Sequence, residues 1–353
     1  MTPFPASPSA SSRYIHRQPA WSLTVDGETI DAVVRPRLMS LSLTEKRGSD
    51  ADELEIVLSD HDGQLKVPKK GVTVTLSLGW LDLGEGRSPV LVDKGTFKVD
   101  ETGHSGAPDV LTIRARSADL TRGFRAQRAQ SWSDTTLGAV LGDVAGRNGL
   151  QLNCASDRSG VPVAHLAQSR ESDAAFLARL GRMHDAVATV KSGKLIFMAC
   201  AAGQSPGGED IGTATLTRKD GDKHSWKESD RGVYSGVIAE WNDRSAAGRK
   251  KAVAGSEDNA KRLTRVYATE KAALRAAEAE FKRLGRGAAE FSLTLAMGRP
   301  DLMPEKRLTV SGFKPEIDAA GWLITEARHS LGGSGFTTSL QMELGGSSSG
   351  DEN

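Results

Sequence analysis

The segment Val72-Thr73-Val74-Thr75-Leu76-Ser77-Leu78 alternates apolar and hydroxyl-bearing residues without a break. Alternation with a period of two places the apolar side chains on one face of a β-strand. Shorter alternating segments lie on both sides of it, near residues 39–44, 54–58, 97–99 and 111–114. Turn-forming stretches separate the segments: Asp60-His61-Asp62-Gly63, Pro68-Lys69-Lys70-Gly71 and Gly84-Glu85-Gly86. Several short strands with regular turns predict an antiparallel sandwich or barrel.

The middle of the chain changes to helical periodicity. A first stripe at i, i+3, i+4 and i+7 spacing predicts a helix that Ser133 or Asp134 caps and Asn148-Gly149 ends. Ser172 is expected to cap a second helix, with Asp173 in its first turn, where the helix dipole favours a negative charge. A short apolar strand, residues 195–198, follows. The two apolar stripes are Leu137, Val140, Leu141 and Val144, and then Phe176, Leu177 and Leu180.

Strands return after the Gly/Ser/Pro-rich stretch 204–208, which is expected to be a linker. One long helix, residues 268–286, interrupts them. Thr269 is expected to cap this helix, and Leu274, Ala277, Phe281 and Leu284 are expected to form its buried stripe. We therefore predict a mainly β fold with an α+β insert. The boundaries are a flexible arm at 1–19, a β-barrel domain at 20–127, a small α/β domain at 128–203, a second β-barrel domain at 204–344 and a disordered tail at 345–353.

Composition excludes several classes of protein. Lys and Arg number 46 against 45 Asp and Glu among 353 residues, so the net charge of +1 provides no general attraction to DNA or to an acidic membrane. No apolar run approaches the ~20 residues of a membrane-spanning helix, and the polar N-terminus lacks the apolar core of a secretory signal. The two cysteines, Cys154 and Cys200, are too few for a disulfide scaffold or a cysteine-based zinc module.

An internal repeat links the first and last β regions at a constant offset of 225 positions. Upstream, Pro68 and Val72-Thr73-Val74 parallel Pro304 and Leu308-Thr309-Val310. One fold used twice around the insert explains the match, although alternation alone would generate part of it. Three copies of such a chain would present six similar units around one axis. The repeat-equivalent positions are Phe97, Val99, Glu101, His104 and Ser105 in the first copy and Trp322, Ile324, Glu326, His329 and Ser330 in the second.

The sequence motifs that would indicate catalysis or metal binding are weak. The Gly-x-Ser-x-Gly string at 203–207 lacks the following helix that a nucleophile elbow needs, and a linker is favoured. The Asp60-His61-Asp62-Gly63 group is interpreted as a solvated turn rather than a metal site, and His104 and His329 as hairpin hydrogen-bonding residues rather than metal ligands. We expect no catalytic residues, no cofactor and no metal. The basic patch, expected to face solvent or a protein partner, consists of Arg114, Arg116, Arg122, Arg125 and Arg128.

Several segments, in the order of the family, resemble the phage late control gene D family, from about Arg35 to Leu344. They begin with Arg37-Leu38-Met39-Ser40-Leu41-Ser42-Leu43-Thr44, residues 51–60 and residues 95–101. They continue through Trp132 with Leu137-Gly138, residues 168–180, residues 234–243 and Leu308 with Gly312-Phe313. The motif Glu171, Ser172, Asp173, Phe176, Leu177, Arg179 and Leu180 is also typical of the hub half of type VI secretion spike proteins, and we interpret it as structural.

This resemblance implies a baseplate hub of a contractile phage tail. Members of the family form homotrimers, and each subunit carries two tube-like antiparallel β-barrels that flank a small α/β domain. The implied ring joins the sixfold tail tube to the threefold spike around an axial channel. The implied partners are the chain itself, a spike trimer, a tail tube or tube-initiator protein and other baseplate proteins, with DNA only as passing cargo and no membrane insertion. The implied location is the virion tail, with assembly in the host cytoplasm.

Three alternatives remain at this point. The chain could be the hub of a phage-derived injection machine, either pyocin-like or type VI-like, that carries no genome. A tail-associated cell-wall hydrolase would need an acidic residue in a cleft, and a nucleic-acid-binding protein would retain DNA in a salt-dependent way. The short stretch after Leu344 leads us to expect that the spike is a separate chain, which favours the phage hub. In that hub we expect a neutral or acidic channel face, because arginine and lysine would trap phosphates.

Overall fold

The computed structural model describes residues 17–48, 51–82, 88–117, 122–191, 193–203, 210–229, 234–243, 248–333 and 335–345. Most of the predicted arm, the predicted linker at 204–208, the turn at 84–86 and nearly all of the predicted tail lie outside the described residues. The first strand begins at Arg17, so it takes in the last three residues of the predicted arm.

Six strands form the N-terminal β unit, and their neighbour order is β3-β4-β7-β6-β5-β1 with every neighbouring pair antiparallel. A short strand, β2, and two one-turn helices accompany them. The bounds are β1 (Arg17–Val25), β2 (Glu28–Thr29), α1 (Asp31–Val34), β3 (Leu38–Lys46), β4 (Glu53–Ser59), β5 (Thr73–Asp82), β6 (Val90–Ser105), β7 (Val110–Ser117) and α2 (Arg122–Arg125). The predicted alternation is confirmed in β5, where Val74, Leu76 and Leu78 are buried and the intervening hydroxyl residues are not.

The insert that follows has its own buried core, which includes Trp132, Phe176 and Phe197. Phe124 also packs there, although the sequence places it in the first β domain. The predicted stripes of α3 and α5 are confirmed as buried. The bounds are β8 (Gln127–Thr136), α3 (Leu137–Arg147), β9 (Gln151–Cys154), α4 (Ser156–Ser159), β10 (Pro162–Ser172), α5 (Asp173–His184), β11 (Ala186–Lys191) and β12 (Lys194–Ala199).

The predicted cap of α3 is wrong. Strand β8 runs through Ser133 and Asp134 to Thr136, so both residues still belong to the strand where the helix was expected to begin. Thr136 is the cap instead, and its Oγ1 accepts a hydrogen bond from the Ala139 amide at 3.3 Å. The prediction for α5 is confirmed, because the Ser172 Oγ accepts from the Ala175 amide at 3.2 Å.

Six further strands form the C-terminal β unit, with the neighbour order β14-β18-β21-β20-β19-β13. A three-stranded sheet and one long helix lie in sequence between its second and third strands. The bounds are β13 (Thr213–Thr217), β14 (Gly221–Glu228), β15 (Gly236–Asp243), β16 (Gly248–Gly255), β17 (Ala260–Tyr267), α6 (Glu270–Arg286), β18 (Ala289–Leu295), β19 (Arg307–Ser311), α7 (Pro315–Asp318), β20 (Trp322–Gly332) and β21 (Gly335–Leu344).

Thr269 caps α6 as predicted, since its Oγ1 accepts from the Ala272 amide at 3.3 Å. The predicted stripe is wrong at Leu274, which is 38% exposed. The helix buries a seam of small residues, including Ala273, Ala276 and Ala277, against alanines of β15 and β16. Small side chains on both surfaces let the helix axis approach the sheet closely. The spacing of apolar residues in the sequence does not distinguish such a row of buried alanines from a stripe of larger buried residues.

A single 13-stranded sheet runs through both β units. Strand β3 of the first unit pairs with β20 of the second along seven residue pairs, from Ser40 opposite Gly332 to Lys46 opposite Glu326. Leu331 and Phe336 of the second unit pack into the core of the first. Among the described residues no ladder joins the first and second strands of the same unit. The mainly β character is clear, whereas the two-barrel arrangement and the domain boundaries stay predictions.

Candidate assembly site

The repeat-equivalent residues lie at matching positions of two hairpins. Phe97 in β6 and Trp322 in β20 are both fully buried, and each begins the part of its strand that pairs with the next strand. Both hairpins have a register irregularity at the same place, between Val99 and Glu101 and between Ile324 and Glu326. Since a bulge is specified locally by sequence, its recurrence at an offset of 225 is not expected from alternation alone.

The upstream part of the repeat needs a corrected register. In the first unit the Gly71 amide donates to the Val99 carbonyl, and the Val99 amide donates to the Val72 carbonyl. The second unit has the same pair of bonds: the Glu305 amide donates to the Ile324 carbonyl, and the Ile324 amide donates to the Lys306 carbonyl. Gly71 and Glu305 also share a positive φ, +89° and +72°. These bonds make the offset 234, so Pro68 corresponds to Leu302 and not to Pro304. The similar strings Val-Thr-Val and Leu-Thr-Val match because strand alternation repeats every two residues, and this match conceals a two-residue shift.

The two equivalent histidines have different surroundings. His104 is half-exposed, with its Nε2 3.3 Å from the Asp60 carboxylate. His329 is fully buried and contacts Thr338 Oγ1 at 2.9 Å and Glu45 Oε2 at 3.1 Å. His329 therefore serves as a hydrogen-bonding residue, whereas a hydrogen-bonding role for His104 stays a prediction. Of the equivalent acids, Glu101 pairs with Arg114 at 3.1 Å on an exposed face.

Glu45, Lys94 and His329 form the buried charge cluster at the junction of the two β units. The Lys94 Nζ lies 2.6 Å from Glu45 Oε2 and donates to the Pro300 carbonyl at 3.0 Å. A bulge at Gly95, with φ +90°, turns Lys94 inward. Burial opposes the charge of Glu45, but Lys94 and His329 lower its pKa to about 2. Burial lowers the pKa of His329 despite its hydrogen bond with Glu45, so it is neutral at pH 7. The cluster ties β3, β6 and β20 together.

A second ionic network joins both units to the insert and to α6. The carboxylate of Glu343, in β21, forms ion pairs with Arg47 at 2.6 Å and with Arg286 at 3.1 Å. Arg286 reaches on to Asp185 at the end of α5. Glu305 pairs with Arg47 and accepts from the Ala201 amide at 2.6 Å. Because these groups come from four parts of the chain, the network fixes how those parts sit around the junction.

The family motif is a structural anchor at the start of α5. Asp173 is fully buried and accepts hydrogen bonds from Asn148 at 2.8 Å, from Gln168 at 2.8 Å and from Arg147, and Arg128 lies 3.4 Å away. Burial opposes its ionisation, but the bonds from Asn148, Gln168 and Arg147 bring the pKa of Asp173 below its ordinary value.

The other two charged residues of the motif, Glu171 and Arg179, are about one quarter exposed. Glu171 and Arg179 form an ion pair, and the Arg179 guanidinium lies 5.1 Å from the Phe176 ring centre. Phe176 stacks on Trp132 at 5.3 Å, while Leu177 and Leu180 are buried in the same core. Every residue of the motif thus has a packing or positioning role in the insert.

Replacing Ser172 by alanine should lower the free energy of unfolding by about 1 kcal/mol, because the Ala175 amide loses its acceptor. Chemical denaturation with urea measures this change. Ser169, an exposed residue of the same strand, provides the control, since Ser169→Ala should leave stability unchanged within about 0.5 kcal/mol. Equal effects of the two substitutions would contradict the capping role.

The sequence candidates for chemistry do not assemble into a reactive centre in the described part of the chain. No group of three or more metal-ligating side chains is found among the described residues. Asp60 is not solvated as expected: it is 4% exposed and accepts from the Leu65 amide at 3.0 Å. The other three residues of the turn are exposed, and among them Asp62 is paired with Arg37 at 2.6 Å. The string at 203–207 lies almost wholly outside the described residues.

The basic patch is largely neutralised. Arg114 pairs with Glu55 at 2.7 Å and with Glu101, and Arg116 pairs with Asp100 at 3.2 Å. Arg128 faces Asp173, Arg125 is exposed, and the side chain of Arg122 lies outside the described residues. None of the helices in the described ranges is long and apolar enough to cross a membrane.

The junction residues were missed by sequence reasoning. Glu45 continues the inward positions Leu41 and Leu43 of β3, so a charged residue on the core face was visible in the pattern. Lys94 is inward only because of the bulge, and Glu305 is buried only through its distant partners. These two gave no readable signal.

Comparison with known proteins assigns the family. The profile of the family described as phage tail baseplate hub (GPD) matches residues 52–334. A "probable baseplate hub protein" of Escherichia phage 186 is 40% identical, and the match covers 92% of this chain and 93% of that protein. The crystal structure of the prophage MuSo2 43 kDa tail protein from Shewanella oneidensis shares the fold, with a TM-score of 0.66 at 17% identity over 93% of this chain and 99% of that one.

A more distant likeness is to a type VI secretion component from E. coli, with a TM-score of 0.54 at 12% identity over 91% of this chain and 76% of that chain. At this level of identity the likeness concerns the fold. The family profile covers more than half of the chain and the phage relative covers nearly all of it, so the resemblance deduced from the motifs is confirmed. The chain belongs to the phage tail baseplate hub (GPD) family.

Proposed function

We propose that the chain is the ring-forming subunit of the baseplate hub, assembled as a homotrimer between the tail tube and the spike. The observation that carries this proposal is the repeated strand order. Each unit has six strands when the short β2 is left out, and these can be numbered from one to six along the chain. Both units then have the neighbour order second, third, sixth, fifth, fourth, first. The units differ in one direction only: β1 runs antiparallel to β5, whereas the equivalent β13 runs parallel to β19. Three chains therefore supply six units with one strand order, which is what an adapter between sixfold and threefold partners requires.

Strand edges provide the backbone hydrogen-bonding groups through which neighbouring chains can pair to close such a ring. Strands β14 and β13 each have a single partner in the described pairings, as do β16 and β17 of the smaller sheet. An edge with free backbone groups pairs readily with another chain, and burial of that edge in an interface removes its tendency to aggregate. Each obligate interface should bury more than ~2,000 Å².

Mass measurement of the purified chain tests the proposal. Native mass spectrometry should give three chains per particle, either alone or after addition of the spike protein. A chain that stays monomeric under both conditions would contradict the ring. Because the fold is shared with proteins outside the family, the mass and not the fold decides this point.

In the proposed ring the axial channel is neutral or acidic, and the arginines lie elsewhere. Arg114 and Arg116 contribute little net positive charge to the surface on which they lie, since each is matched by nearby carboxylates. The assembled hub should therefore not retain double-stranded DNA on a filter at about 150 mM salt. Salt-dependent retention would instead indicate a nucleic-acid-binding protein, and cleared zones in a cell-wall gel would indicate a hydrolase.

The second candidate is the hub of an injection machine without a genome, supported by the likeness to the type VI secretion component. The same trimer would then carry an effector instead of DNA. Nuclease-protected DNA in purified particles separates the two. In the phage reading, the proposed location is the virion tail, with assembly in the host cytoplasm.

A further inference from the structure

An apolar groove of about 370 Å³ opens at one end of the N-terminal β unit. Its walls come from β1, α1, β7 and the connection between β4 and β5. We call it the end groove and define it by Val25, Ile30, Val33, Leu65, Pro68 and Ile113. Its floor is the core of the unit, with Leu23 and Leu111 almost fully buried.

The second β unit shows what fills the equivalent place. The Val72 amide donates to the Lys69 carbonyl at 3.3 Å, and the Lys306 amide donates to the Met303 carbonyl at 3.3 Å. With the offset of 234 these two turns coincide, so Leu302 stands where the first unit has Pro68. Leu302 is 0% exposed and belongs to the core of its unit. The first unit has a groove where the second has this leucine.

The rim of the end groove carries exposed apolar and basic side chains. Val33, which lines the groove, is 57% exposed, and Val67, which lies between the lining residues Lys66 and Pro68 in the chain, is 55% exposed. They are two of the six large apolar residues that stand exposed in the described part of the chain. Lys66 also lines the groove, and Lys69 and Lys70 directly follow the lining residue Pro68 in the chain. All three lysines are exposed, and no ion pair among the described residues includes them. A matching occupant is therefore apolar at its centre and acidic at its flanks.

We propose that the end groove binds an apolar segment flanked by carboxylates, contributed by a neighbouring baseplate protein. This inference rests on the proposed function, which places such proteins next to the hub. The equivalent segment of the second unit, Asp301-Leu302-Met303-Pro304-Glu305, has this composition within the chain itself. Leucine or methionine from the partner would supply the contacts that Leu302 makes in the other unit.

A peptide with the sequence of residues 300–305, Pro-Asp-Leu-Met-Pro-Glu, is the probe for the groove chemistry. Fluorescence anisotropy of the labelled peptide should show saturable binding to the wild-type chain below 1 mM. Val33→Asp and Val67→Asp should each weaken binding by about tenfold or more, since a carboxylate then faces apolar side chains and acidic flanks. Val90→Asp, at a residue 75% exposed on another surface, is the matched control and should bind like wild type.

Absence of binding up to 1 mM would overturn the proposal. Equal binding of a peptide with serine in place of leucine and methionine would also overturn it, as would equal loss in the Val90→Asp control. All three substituted residues are exposed, so folding is expected to survive, and circular dichroism checks it.

A photo-crosslinking residue at position 67 in assembled tails identifies the occupant. A crosslink to an apolar, acid-flanked segment of a different protein supports the proposal, and position 90 serves as the control. A crosslink to a second copy of this chain, or none, overturns it. Native mass is read on the same material: a trimer without a crosslink contradicts only this inference, whereas a monomer contradicts the proposed function.

Discussion

Glu45→Ala should lower the free energy of unfolding by about 3–5 kcal/mol, a large part of the roughly 5–15 kcal/mol of a typical domain. The substitution leaves the Lys94 ammonium, whose side chain is 1% exposed, without its carboxylate. It also removes the partner of His329 Nε2. Urea denaturation followed by tryptophan fluorescence gives the change from the shift in midpoint.

Glu55→Ala is the matched control. Glu55 lies on the next strand and pairs with Arg114, but both side chains are at least 40% exposed. Its loss should cost no more than about 1 kcal/mol. Equal losses for the two glutamates would show that the buried charge cluster does not stabilise the junction.

The pH dependence of the same cluster has a definite sign. The pKa of Glu45 is about 2 in the fold against an ordinary 4.5, so the unfolded chain takes up a proton first as the pH falls. The stabilisation is complete above about pH 4.5 and disappears as the pH falls towards 2. Glu45→Gln should therefore flatten the fall in midpoint across this window relative to wild type, and an unchanged slope would contradict the assignment.

Asp173→Ala should have an effect of similar size, about 3–5 kcal/mol, centred on the insert. The substitution removes the acceptor that Arg147, Asn148 and Gln168 share, and Arg147 is then left partly buried without a counter-charge. Trp132, which stacks on Phe176 and donates to Asp143, lies beside this turn, so near-ultraviolet circular dichroism should report the loosened packing.

The adjacent Glu171 offers a control at the same helix start. Its pair with Arg179 is about one quarter exposed, so Glu171→Ala should cost about 1 kcal/mol. Asp173→Asn, which keeps the shape and one acceptor oxygen, should fall between the two alanine variants. If Asp173→Ala were no worse than Glu171→Ala, the motif would owe its recurrence to something other than this anchor.

Local features of the chain were readable from sequence because they depend on neighbours along the chain. Period-two alternation located β3 to β5, and hydroxyl residues before apolar stripes located the caps at Ser172 and Thr269. The cap of α3 was misplaced because four consecutive hydroxyl or acidic residues, Ser133, Asp134, Thr135 and Thr136, compete for the role. Only the extent of β8, set by its pairing with β10, decides among them.

Features that join distant segments were not readable. The pairing of β3 with β20 links residues almost 300 positions apart, and neither strand differs in pattern from one that ends at a barrel edge. The same applies to Glu305, whose positive φ corresponds to Gly71 in the other unit. A glycine would have marked the turn, whereas a glutamate conceals it, and its buried ion pair with Arg47 holds it there.

The seven-rung ladder between β3 and β20 has a mechanical consequence. Two bodies that share one sheet cannot swivel on a linker, since any rotation between them must bend the strands or break several backbone bonds at once. A subunit built in this way moves as one rigid body rather than as two flexibly linked domains. Torque applied to one β unit is then transmitted to the other, because little of it is absorbed by relative motion of the two units.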